Sequence, residues 1–177
     1  MKTLARITSL AATVAALALT AAPAQAATPT TPAVAKVKIL KAVTISRVAD
    51  LDFGTVVLSG PGAWTGAVVS VDNTGTVRAC DPTNLTCSSA AFSAAEYKVT
   101  GSNNATVNLV IPASVVITNA ASDSLTVNLN NAQTTIVLTS SGAPGDNFKF
   151  GGSISLDSTT PDGDYSGDIV VTANYPA

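Results

Sequence analysis

The chain has 177 residues, eleven acidic and nine basic, the length of one domain with a formal charge of −2. It has no histidine, which excludes Ser-His-Asp and Cys-His catalysis and removes the commonest metal ligand. Abundant small polar and β-branched residues, with frequent Gly and Pro, point to an all-β domain.

The N-terminus reads as an export signal. Lys2 and Arg6 form a basic region, Ile7 to Ala22 is an apolar run, and Ala24-Gln25-Ala26 is a small-x-small cleavage box. Residues 1–26 are therefore expected to be removed, with no membrane span left afterwards. Loss of Lys2 and Arg6 leaves seven basic residues against eleven acidic ones, a mature charge of −4. That balance argues against nucleic acid and against anionic membranes as partners.

Residues 27–33 form a Thr/Pro linker with too little apolar matter to fold alone. Ala35, Val37 and Ile39 then alternate with Lys36 and Lys38 until Lys41 breaks the pattern. Val43 and Ile45 resume it. Two readings follow. Residues 34–41 are the start of one long first strand, or they are a separate strand detached from a domain spanning 42–177.

Further strands are expected at Phe53–Ser59, Gly66–Asp72, Thr76–Ala79, Tyr97–Thr100, Thr106–Ile111, Leu125–Leu129 and Thr135–Thr139. Asn147–Phe150 and Ser153–Leu156 follow, then a closing strand over Tyr165–Tyr175. There Ile169, Val171, Ala173 and Tyr175 share one face. Turn clusters such as "SGPG" and "STTPDGD" separate these runs, a spacing that suits a β-sandwich. "SSAAFSAAEY" (88–97) has an Ala content that permits a helical turn.

Cys80 and Cys87 bracket "DPTNLT", rich in turn formers. In an exported chain a structural disulfide stapling an excursion between strands is the expected state. There is no third Cys for a metal site, and the spacing is not the C-x-x-C of redox proteins.

Chemistry is sparse. No S-x-x-K, no G-x-S-x-G and no phosphate-binding Gly loop occurs. Asp50 with Asp52, and Asp162 with Asp164 and Asp168, sit at strand ends or turns, where Asp serves the backbone. Asp162 to Asp168 copies the start of a calcium loop, but the twelfth position is Ala173 instead of Glu. No catalytic, cofactor or metal residue is assigned, and an enzyme is not expected. Trp64, in "GPGAWTG", is either an exposed stacking platform or a cover folded over the sandwich edge.

"DGDYSGDIVVTANY" (Asp162 to Tyr175) resembles the closing strand of pilins of the alpha-type chaperone–usher families. "ADLDFGTVV" (49–57), "YKVTG" (97–101), "VNLVIP" (107–112) and "FKFGGSISL" (148–156), in that order, resemble the bacterial family called domain of unknown function 4402. The resemblance spans about residues 34–175. It implies an immunoglobulin-like antiparallel sandwich lacking one strand, with the closing strand (Ile169, Val171, Ala173, Tyr175) bordering the groove. Ala35, Val37 and Ile39 would then be a donor strand for the next subunit. Implied partners are neighbouring copies or sibling pilins, a periplasmic chaperone and an outer-membrane usher. The implied location is the periplasm, then the cell surface. The competing reading is a monomeric secreted sandwich that binds a ligand through loops such as 60–66 or 80–87.

Overall fold

The computed structural model describes residues 30–89, 91–130 and 133–176. The expected leader, and residues 27–29 of the linker, lie outside them. The chain divides into two units, residues 1–37 and 38–177. In the first unit, residues 30–37 are all exposed and form no strand.

The second unit is an all-β antiparallel sandwich, with no helix among the described residues. Its strands are β1 (Thr44–Ala49), β2 (Val56–Leu58), β3 (Ala67–Val71), β4 (Arg78–Cys80), β5 (Leu85–Cys87) and β6 (Ala95–Thr100). Then come β7 (Thr106–Val110), β8 (Ser114–Thr118), β9 (Ser124–Asn130), β10 (Thr135–Val137), β11 (Asp146–Leu156) and β12 (Thr172–Asn174).

β11 is the spine. Its first half pairs with β6, and β6 with β1; its second half pairs with β3 and β9, which lead out to β4 and β8. The two runs expected on either side of Gly151-Gly152 are thus one strand. Gly151 is where a side chain would collide with the backbone of Val71 and Asp72, so the missing Cβ lets the strand continue. The other sheet has the order β10-β7-β12, and β2 and β5 form a separate two-stranded ribbon.

Two hydrophobic clusters fill the sandwich. The first packs Val99, Phe148 and Phe150 against Val107, Leu109, Ile136 and Leu138. Tyr97 stacks on both phenylalanines, at 5.8 and 5.9 Å between ring centroids. The second joins Ala67, Val69, Val127, Ile154 and Leu156 to Leu85.

Three expectations change. The excursion between the cysteines contains a strand, β5, because Leu85 is apolar enough to reach the second cluster. In segment 88–97, whose Ala content permits a helical turn, no helix forms among the described residues: Ala94 and Ala95 are buried and β6 begins at Ala95. The closing strand is regular only over Thr172–Asn174, with one further bridge at Ser166–Thr118.

Candidate functional site

The C-terminal stretch keeps its period of two even where its ladder lapses. Ile169, Val171, Ala173 and Tyr175 are half-buried against the first cluster, and Asp168, Val170, Thr172 and Asn174 are exposed. Among the described residues its backbone pairs are with β7 and β8. Thr172↔Val110, Ala173↔Leu109 and Asn174↔Asn108 join it to β7, and Ser166 joins it to β8. Gly167 permits this approach, since a Cβ there would lie 2.8 Å from the Val116 carbonyl. Along the opposite edge no backbone ladder forms among the described residues; the Tyr97 hydroxyl donates to the Ile169 carbonyl at 3.2 Å.

Facing that edge is the segment from Leu51 to Leu58. Between the two lies a cleft of about 930 Å³. Phe53 to Leu58 form one wall and Tyr165, Gly167 and Ile169 the other. The floor is Val115, Ile117, Leu125, Val127, Ile154 and Leu156. Val115, Ile117 and Leu125 are only half-buried, so they present apolar surface to the opening. β2 uses its other edge for β5 and has no partner on the groove side among the described residues. The groove is thus bordered by β2 and the closing stretch, with half-buried apolar side chains beneath it.

Acidic residues stand at both ends: Asp52 near the Val71–Gly152 level, and Asp162 and Asp164 beyond β8, beside Asn119. Asp52 accepts the Gly54 amide at 2.7 Å, closing a turn, and Asp50 pairs with Arg47 on an exposed surface. Tyr165 donates to the Pro161 carbonyl at 2.8 Å. Its hydroxyl is pushed above the usual tyrosine range by desolvation, then by the Asp123 and Asp162 carboxylates. Among the described residues no group of three or more His, Cys, Asp or Glu could hold a metal ion. No helix there is long and apolar enough to cross a membrane.

At the opposite end of the closing strand, Tyr175 makes a clamp. Its hydroxyl accepts the Ser102 amide at 2.7 Å and donates to the Lys41 carbonyl at 2.8 Å. The Lys41 amide donates to the Ser102 hydroxyl at 2.6 Å, and its ammonium to the Ser141 carbonyl at 3.1 Å. Gly101 leaves room, because a Cβ would stand 2.6 Å from the Tyr175 hydroxyl. Lys41, the residue that breaks the alternation, is where the chain is fastened.

Ala35, Val37 and Ile39 do not join any strand. Val37 and Ile39 are each 84 % exposed. Cys80 and Cys87 form a disulfide with Cα atoms 6.3 Å apart. Trp64 is folded over the sandwich edge: its indole N–H donates to the Gly60 carbonyl at 3.3 Å and its ring packs on the second cluster.

The groove floor includes residues that the sequence reading passed over. β8, "SVVIT", has the alternation of a half-buried strand, but Pro112 just before it hides the signal.

The family described as domain of unknown function (DUF4402) matches residues 43–175, from the base of β1 to the Tyr175 clamp. The chain belongs to this family. The match takes in both groove walls, the floor, and Ser102 and Tyr175 of the clamp, and begins two residues after Lys41. No curated protein and no solved structure matches the chain.

Proposed function

We propose that this protein is an exported structural subunit of a surface filament, in which the N-terminal segment of one copy fills the groove of the next. The observation that carries the reading is the pairing of two deficits: an apolar groove lacking a strand, and an apolar alternating segment lacking a sheet. Residues 33–40, fully extended, are roughly 26 Å long. Ala35, Val37 and Ile39 would face the floor, with Lys36 and Lys38 in solvent. Each large side chain fully buried contributes about 1.5–3 kcal/mol, and the new backbone ladder adds to that.

The clamp favours a second copy over the subunit's own segment. Lys41 is held beside Tyr175, and the groove begins at Ile169, about 20 Å away along the closing strand at strand rise. A chain turning back from Lys41 would spend residues 35–40 on that distance. It would bring the Thr/Pro linker to the groove, with Pro29 and Pro32 lacking the amides a ladder needs. The direct path is also narrow. Cα atoms of β1 and β12 approach within 8 Å, and an inserted strand needs about 9.5 Å between its neighbours. These distances support a second copy, and not the subunit's own segment, as the source of Val37 and Ile39 at the floor.

On this reading an empty groove is an aggregation hazard, which a periplasmic chaperone would cover before an outer-membrane usher passes the subunit on. Adhesion or biofilm formation would follow from the filament.

The test is an unboiled denaturing gel of the chain exported to a periplasm, beside a form lacking residues 27–41 and a Val37→Asp/Ile39→Asp double variant. A ladder of multimers in the parent, absent from both variants, is expected. A monomer band from the parent, or a ladder that survives both changes, would overturn the proposal.

A further inference from the structure

The β2 wall of the groove is suspended, not embedded. Among the described residues its ladder reaches only β5, through Val56↔Cys87, Val57↔Thr86 and Leu58↔Leu85. A ribbon of three pairs is marginal by itself. Val56 and Leu85 pack on the second cluster, and the Asp52–Ser93 bridge precedes the wall.

Two ties then join the ribbon to β4, the edge strand of the large sheet. Cys87 is bonded to Cys80 on β4. Arg78, two residues earlier on β4, reaches both chains of the ribbon. It donates to the Phe53 carbonyl at 2.9 Å, just before β2, and to the Ser88 carbonyl, just after β5. Its guanidinium also lies 5.1 Å from the centre of the Phe92 ring. Residues 78 and 80 share one face of their strand, so both ties leave β4 on the same side. None of Arg78, Cys80 and Cys87 lines the groove.

We infer that Arg78 and the Cys80–Cys87 disulfide are positioning residues for strand capture, fixing the β2 wall where an incoming strand can pair with it. The inference rests on reading the groove as a strand acceptor. It gives the disulfide a role beyond general stability: a subunit must be oxidised before it can accept a neighbour. Arg78 grips both chains by hydrogen bonds at the same end of the ribbon that the disulfide fixes covalently through the Val56↔Cys87 pair.

The parent for the test is the full exported chain carrying Val37→Asp/Ile39→Asp, which cannot donate and so keeps its groove empty, compared with the same chain carrying C80S/C87S, R78M or R78K. Amide hydrogen exchange is read in residues 53–60 and 106–110, and binding is read with a synthetic peptide of residues 33–41. In C80S/C87S and R78M, exchange over 53–60 should quicken at least tenfold while 106–110 keeps its protection, and peptide affinity should fall at least tenfold. R78K, which keeps the charge with fewer donors in a fixed fork, should fall between. Variants that bind the peptide as the parent does overturn the inference alone. Protection lost equally over 106–110 makes the ties general staples and overturns it too. A parent that refuses the peptide overturns the acceptor reading, and this inference with it.

Discussion

Phe150 and Ile154 lie four residues apart on β11, and the two ends of that strand meet different fates. The first half faces β7, β10 and the closing strand, and Phe150 is 0 % exposed beneath Tyr97. The second half faces the groove, where Ile117 and Leu125 beside it stay half-open. One half of the sandwich is closed around fully buried side chains; the other keeps half-buried Val115, Ile117 and Leu125 along a cleft. Stability therefore resides in the first half, and on the proposed reading the second is where a partner strand would dock.

The comparison can be broken most directly by truncating a side chain in each half. Phe150→Ala leaves a cavity in a filled cluster and should cost about 3–5 kcal/mol, a large share of a domain's stability. Urea unfolding of the isolated subunit measures it. Ile117→Ala removes atoms that already face the opening, and should cost under about 1.5 kcal/mol in the same experiment. Equal costs would show that the groove half is as closed as the other. In a captured complex the order should change, with Ile117→Ala accelerating loss of a bound 33–41 peptide and Phe150→Ala acting only through folding.

Tyr175→Phe should fall between these two, at about 1–3 kcal/mol, because it strips a buried amide of its acceptor while keeping the ring in place. It should also free the chain at Lys41, so protease cleavage between residues 38 and 43 should quicken before the domain unfolds. Unchanged cleavage would show that the Lys41 amide–Ser102 bond holds that point alone.

The covered half was largely legible in the sequence, since alternation over 97–100, 106–111 and 169–175 names side chains that meet in one cluster. The groove half was harder. Phe53 to Ser59 was expected as a strand, but nothing local says that its second edge has no partner among the described residues. β8 follows a proline, and β5 is hidden by the turn formers Asp81, Pro82 and Asn84. Absence of a neighbour is a property of the assembled sheet, set by contacts far apart in the chain. Arg78 gave no signal either: a single arginine on a short strand reads as a solvated charge until Phe53 and Ser88 are placed beside it.

The smallest effect concerns the turn that carries β3 into β4, the strand bearing both ties. The Asp72 carboxylate accepts the Thr74 hydroxyl, and the Thr76 and Val77 amides at 2.9 Å each. The Thr74 bond, and then the Val77 amide, hold its pKa down at about 2, below its ordinary 3.8. A carboxyl depressed in the fold binds its proton more readily when unfolded. Its contribution is therefore complete above about pH 4 and drains away as the pH falls through 2. Asp72→Asn, which cannot ionise, should be less stable than the parent at neutral pH by an amount that shrinks steadily between pH 4 and pH 2. Urea midpoints of the two proteins at several pH values measure it. A gap that stays constant down to pH 2 would mean that the side chain works here by shape and not by charge. Convergence would locate a small acid sensitivity at the base of the strand on which the groove wall hangs.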